Sequence, residues 1–303
     1  MDRPVELTWR TVDVDGASMR VMESQQVGGR QGDPLLFLHG WGLSPQTYAA
    51  GITRLTTAGI RVIAPCLPGF GGSDGPGLRH INLEQYGARV GRLLDVMGIE
   101  KPAFVVGHSF GGGVAIRLAA DRPERVRSLT LVSSIGGAPG KRGGLASSSW
   151  LTWALGTMGE LHPSELARSM PSLLRAFVPN AARKPLTMLL TARLALTANL
   201  VAEAGALIDS GLPVLFVWGA DDKLILPGAL ATVGGHVPEF VQGRHGWLLT
   251  EPEEFAALLR NALVVHAMLE RKQRGQPVAA AKGPSLLELF PPERRSAMRR
   301  PRV

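Results

Sequence analysis

Residues 8–14 and 17–23 alternate apolar and polar side chains, and Asp15-Gly16 lies between them. That dipeptide between two period-2 runs predicts a β-hairpin, because both residues tolerate the left-handed backbone of a tight turn. Four short runs of almost continuous apolar residues follow, at 34–38, 61–64, 103–106 and 129–132, and a fifth comes much later at 213–217. Runs of that length predict strands buried on both faces, as in a parallel sheet.

Between the runs the apolar spacing lengthens to that of a helix. Residues 45–57 form one such stretch, with Ser44 as its expected cap. Residues 83–97 form another, with Asn82 before it and Leu83, Tyr86, Val90, Leu93, Leu94 and Met97 on one face. A third covers 110–120. The longest, 252–270, opens on Pro252, Glu253 and Glu254, residues suited to a helix start. Strands alternating with helices after a hairpin predict an α/β fold with a mostly parallel twisted sheet.

The alternation stops at Ser134 and resumes near Leu212. A Gly- and Ser-rich stretch at 136–149 gives way to helix-like pieces without a strand. Residues 186–208 are apolar enough to resemble a membrane span, but Arg193, Asn199 and Glu203 interrupt them. Central charges are costly in a span, so a buried or substrate-facing helix fits better. The expected organisation is a core in two parts, 1–134 and 212–270, with a helical cap inserted over 135–211. Residues 271–303 read as a basic C-terminal tail, punctuated by prolines and expected to be mobile.

Charge follows this division. The 303-residue chain carries a net +8, of which 271–303 supply +7 from nine basic and two acidic residues. The remainder is close to neutral, so nucleic-acid binding could concern only the tail, and no nucleic-acid partner is expected. A weak membrane contact through tail or cap is a further expectation; the sequence leaves the oligomeric state open. At 45% hydrophobic and 19% charged, the chain has the apolar content of a folded core, which excludes global disorder. The single cysteine, Cys66, excludes an internal disulfide framework and a Cys-clustered zinc site. The first ten residues lack the apolar stretch of a secretory signal, and a cytoplasmic location is expected.

The chemistry converges on one pattern, G-x-S-x-G, which occurs twice. Gly107-His108-Ser109-Phe110-Gly111 follows a predicted strand and opens a predicted helix, the setting of a sharp nucleophile turn. Gly71-Gly72-Ser73-Asp74-Gly75 lies in a Gly-rich loop with no strand directly before it. Ser109 is therefore the expected nucleophile. A serine hydroxyl needs a base. In the chain order serine, acid, histidine, only His236, His245 and His266 come late enough. His266 falls mid-helix and His236 just before an alternating run. His245 lies in the Gly243–Gly246 loop, where catalytic side chains collect. No Asp or Glu occurs between Ser133 and Gly159, so the acid comes from the end of the fifth run, Asp221 or Asp222. Two N–H donors for an oxyanion come from Phe110, after the nucleophile, and Trp41, in the tight turn His39-Gly40-Trp41-Gly42. His39 reads as a structural support for that turn.

Several segments together resemble the α/β-hydrolase superfamily, and within it the capped lipase-like or haloperoxidase-like esterases. They are the 39–42 turn, Ala64-Pro65-Cys66-Leu67-Pro68-Gly69-Phe70-Gly71-Gly72-Ser73, the 107–112 elbow, Trp218-Gly219-Ala220-Asp221-Asp222 and the stretch from His245 to Phe255. The resemblance covers about residues 9–265. It implies an α/β-hydrolase fold with a helical cap, a Ser109–Asp222–His245 triad and no cofactor. Asp222 is preferred to Asp221 by its distance from the glycine of the Trp-Gly motif. Cys66 stands where such proteins usually carry Asp, and Pro227 lies one residue later than usual. The expected reaction is hydrolysis of a carboxylic ester with an apolar acyl part. Carbon–carbon bond or thioester hydrolysis on the same triad, and a ligand receptor with little turnover, are the alternatives.

Overall fold

A computed structural model describes residues 6–24, 33–57, 60–137 and 163–273. The hairpin forms β1 (Leu7–Val14) and β2 (Ala17–Ser24) in antiparallel register, Val14 opposite Ala17. Asp15 and Gly16 both adopt positive φ, 54° and 78°, as the turn requires. The five apolar runs become β3 (Leu35–Leu38), β4 (Val62–Pro65), β5 (Ala103–His108), β6 (Val126–Val132) and β7 (Val214–Gly219). A short strand, β8 (Glu239–Val241), closes one edge. The strands form one sheet in the order β1-β2-β4-β3-β5-β6-β7-β8. β2 pairs antiparallel with β4, and every pair from β4 to β8 is parallel.

Successive strand residues point to opposite faces, and both faces are buried. Leu36, Leu38, Val105, Leu129, Leu131 and Trp218 join one apolar cluster, with α2 (Leu83–Val96) and α3 (Phe110–Asp121). Leu35, Phe37, Val106, Val132 and Val217 join the other, with α1 (Ala49–Thr57) and the long C-terminal helix. This two-sided burial is why the strands read as continuous apolar runs rather than alternating ones. Asn82 caps α2, its Oδ1 accepting from the Gln85 N–H at 2.8 Å. Ser44 does not cap in that way: its side chain makes no capping bond, and the chain enters α1 through a 3₁₀ turn at Pro45–Tyr48.

Between β6 and β7 the described chain is helical: α4 (Pro163–Arg183), α5 (Pro185–Thr197) and α6 (Val201–Asp209). Residues 138–162 of the expected cap, with all but the first two residues of its Gly/Ser-rich part, lie outside the described residues. Two short helices, α7 (Gly228–Ala231) and α8 (Trp247–Thr250), precede α9 (Pro252–Gln273). α9 runs three residues into the segment assigned to the tail, so the boundary at 271 moves to 273; the rest of the tail lies outside the described residues. No helix among the described residues is long and apolar enough to cross a membrane.

Candidate active site

The turn from β5 into α3 holds Ser109 at φ 53° and ψ −116°, a strained backbone for a residue with a Cβ. Its surroundings require glycine. A Cβ on Gly107 would come within 2.5 Å of the Gly111 carbonyl oxygen, and one on Gly111 within 2.2 Å of the Leu38 oxygen. The Ser109 N–H donates to the Val132 carbonyl at 2.9 Å, which ties the turn to the end of β6. Phe110 opens α3, so its N–H precedes the helical ladder and is directed out of the helix start. Its buried ring packs edge-on against Tyr86 and Phe70.

Asp222 and His245 meet across the ends of β7 and β8. His245 Nδ1 donates to Asp222 Oδ2 at 2.9 Å. The other carboxylate oxygen, Oδ1, accepts from the N–H groups of Leu224 and Ile225, both at 3.0 Å. Burial alone would raise the Asp222 pKa. The facing His245 ring, by charge and by hydrogen bond, outweighs it together with the Ile225 N–H and the nearby Ser133 hydroxyl. Asp222 is held below the usual carboxylate range and is ionised. The Ser133 hydroxyl itself, buried at positive φ, makes no hydrogen bond of ordinary geometry. Asp221 is exposed, and its N–H donates to the Gly243 carbonyl at 3.0 Å.

His108, between Gly107 and Ser109, ties the elbow to the loop that carries His245. His108 Nε2 donates to the His245 backbone carbonyl at 3.1 Å, and the two rings stand 5.0 Å apart. His108 Nδ1 then accepts from the Tyr48 hydroxyl at 2.8 Å, and that hydroxyl accepts from the Gly40 N–H at 3.1 Å. One hydrogen-bonded chain thus links the 39–42 turn to the His245 backbone. Burial, reinforced by the His245 charge, pushes the His108 pKa down to about 3, so its imidazole is neutral, as this donor–acceptor pattern requires. Among the described residues, no hydrogen bond joins the Ser109 hydroxyl to the His245 ring; such bonds often tighten only when substrate docks.

His39 supports the 39–42 turn. Its Nδ1 donates to the Gly40 carbonyl at 2.9 Å and its Nε2 accepts from the Leu67 N–H at 2.9 Å. The Trp41 indole is fixed beneath the helices, donating to Thr191 Oγ1 at 2.9 Å with the Phe177 ring 5.5 Å away. The rival serine, Ser73, is fully buried; its hydroxyl accepts from the Arg20 N–H and donates to the Cys66 carbonyl, both at 2.9 Å. The rival histidines are placed elsewhere. His266 is buried on α9 against Thr130, and His236 hydrogen-bonds the Val233 carbonyl. The described residues hold no group of three or more His, Cys, Asp or Glu arranged to bind a metal.

Residues 35–258 match the model of the alpha/beta hydrolase family. The chain belongs to that family. It is therefore a hydrolase. Among its relatives, the dihydrolipoyllysine-residue acetyltransferase component of the acetoin cleaving system of Cupriavidus necator is 34% identical over 265 residues, spanning 84% of this chain and 69% of that protein. The pimeloyl-[acyl-carrier protein] methyl ester esterase of Aromatoleum aromaticum is 30% identical over 257 residues, 76% of this chain and 97% of the esterase. The bromoperoxidase from Bacillus anthracis superposes with a TM-score of 0.67 at 18% identity, covering 86% of this chain and 99% of that one.

Sequence reasoning missed Tyr48 and His108. Tyr48 falls inside the 45–57 stretch with nothing to single it out, and His108 fills a variable position of the G-x-S-x-G pattern. Tyr48 and His108 lie 60 positions apart and His108 and His245 137, so no local signal marked the chain of bonds.

Proposed function

We propose that this hydrolase cleaves a carboxylic ester with an apolar acyl part through an acyl-enzyme. The observation that carries the reading is the buried Asp222–His245 hydrogen bond, tied through His108 to the elbow that holds Ser109 at φ 53°. His245 Nε2 removes the Ser109 hydroxyl proton as Oγ attacks the acyl carbonyl carbon. The oxygen that becomes negative is received by the N–H groups of Trp41 and Phe110. His245 returns the proton to the departing alcohol. Water then attacks the acyl-serine, gives its proton to His245, and releases the acid as Ser109 regains its own. Asp222 holds the imidazole in the tautomer with Nδ1 protonated, leaving Nε2 basic. No step needs a cofactor.

The apolar preference rests on the helices between β6 and β7, read as a cap over the site. Phe177 and Met188 stand against Gly42, next to the proposed Trp41 donor, and Ile135 and Leu200 flank Gly113 and Gly136 near the elbow. That some relatives are named for acetyl transfer and methyl ester hydrolysis adds support for acyl chemistry. A series of p-nitrophenyl esters tests the reading. Acetate to hexanoate should turn over, with succinate, whose acyl part is charged, at least tenfold slower in kcat/KM. Turnover confined to the charged ester would overturn the apolar assignment; no turnover of any ester would overturn ester hydrolysis.

A further inference from the structure

A cleft of about 540 Å³ opens between α4 and the core, and none of Ser109, Asp222, His245, Trp41 or Phe110 lines it. Its volume falls in the range of small-molecule sites. Four cations line it: Arg20 from β2, Arg175 and Arg183 from α4, and Lys184. No carboxylate lines it, and none of the four forms an ion pair with a described residue. This concentration is set in a chain whose first 270 residues are close to neutral overall.

Two of the cations are fixed without being neutralised. Arg20 stacks over the Trp9 ring at 4.7 Å and spends one donor on the Gly71 carbonyl at 3.1 Å. Lys184 Nζ donates to the Ser73 carbonyl at 2.7 Å. Both partners are uncharged backbone oxygens, and each cation keeps further donors. Arg175 and Arg183 face them from one side of α4, two turns apart. Asn180, between them, joins helix to core: its Oδ1 accepts from the Gly71 N–H at 3.0 Å and its Nδ2 donates to the Gly42 carbonyl at 3.1 Å. The four like charges repel one another, a cost the fold carries with no described counter-ion.

We propose that this cleft is a binding site, separate from the hydrolytic centre, for a small organic molecule bearing a pyrophosphate or comparable phosphate ester. Guanidinium forks and a lysine ammonium match the oxygens of a multiply charged phosphate group. One phosphate alone would leave most of the volume empty. Pro171, Ala176 and Pro179 give the remainder an apolar wall for the organic part.

Titration calorimetry on the full chain tests this with inorganic pyrophosphate, ADP and citrate, at low and at physiological salt. Pyrophosphate and ADP should bind, and more weakly at the higher salt. Arg175→Ala/Arg183→Ala should weaken both at least tenfold without lowering the melting temperature, and the hydrolysis of a neutral ester should be unchanged. These are exposed helix positions where alanine is well tolerated. The control Arg260→Ala, on the exposed side of α9, should have no effect. Absent pyrophosphate binding at millimolar concentration, equal binding to the double variant, or citrate binding as tightly as pyrophosphate would each overturn the assignment. Because the readout is binding, its failure is distinct from failure of the ester-hydrolase reading.

Discussion

Asp222→Asn should disable turnover while leaving the protein folded, and the structure dictates how. In the wild type Oδ1 accepts from two backbone N–H groups and Oδ2 accepts from His245 Nδ1. The asparagine amide has two orientations. With its NH₂ towards Leu224 and Ile225, two buried backbone donors lose their acceptor at about 1–3 kcal/mol each. The other orientation keeps those bonds and is preferred. It directs the NH₂ at His245 Nδ1, which must then accept. The imidazole proton moves to Nε2, the atom that has to take the serine proton, and the base is lost. Fixing the wrong tautomer in a Ser–His–Asp triad costs about 10⁴ in kcat, about 5 kcal/mol. Steady-state hydrolysis of a p-nitrophenyl ester reads the loss, with KM nearly unchanged because Asp222 is buried behind His245. Asp221→Asn, on an exposed side chain, should stay within a few-fold. A kcat for Asp222→Asn within tenfold of wild type, or a larger loss from Asp221→Asn, would refute the reasoning.

Tyr48→Phe should destabilise the fold by about 2–6 kcal/mol, since it leaves the Gly40 N–H and His108 Nδ1 buried without partners. A urea melt that shifts by less than 0.5 kcal/mol, on the order of an exposed substitution, would deny the chain of bonds any role. Stability should also fall steeply with acid. Burial depresses the pKa of His39 and His266 to about 4 and of His108 to about 3, so below about pH 6.5 the unfolded chain binds protons that the folded one does not. The slope reaches about 4 kcal/mol per pH unit for three such histidines and ends as each protonates in the folded state. Asp222, depressed in the fold, adds a further loss only below the ordinary carboxylate pKa. Thermal melts from pH 7 to 4 check this; a melting temperature flat between pH 6 and 4.5 would contradict it.

The sheet was legible wherever its physics is local. Asp15-Gly16 marked the hairpin, and strands buried on both faces announced themselves as unbroken apolar runs. Asn82 marked a helix start because its side chain reaches only three residues ahead. Ser44 looked equivalent but precedes a 3₁₀ turn, where its own backbone carbonyl, not its hydroxyl, accepts from the Thr47 N–H at 3.0 Å. β8 lies within the alternating run that follows His236, so its place was legible, while its length of three residues was not. At the site, the elbow could be read because its glycines are demanded by contacts within the motif and with β3. Choosing between Asp221 and Asp222 from residues alone was not open: adjacent side chains leave β7 in opposite directions, and the direction is set by the turn in which the Asp222 N–H closes on the Gly219 carbonyl at 3.1 Å. The cationic cleft was invisible because Arg20 and Arg183 are 163 positions apart in the numbering and meet only through the packing of α4.

The central claim is that Ser109, and not the other serine in the same five-residue pattern, is the nucleophile. Labelling with a fluorophosphonate, followed by peptide mass spectrometry, tests it most directly. A single modified serine is expected in the peptide containing Ser109, with complete loss of labelling and turnover in Ser109→Ala and labelling retained in Ser73→Ala, whose hydroxyl serves only Arg20 and Cys66. Modification at Ser73, or undiminished labelling of Ser109→Ala, would contradict it.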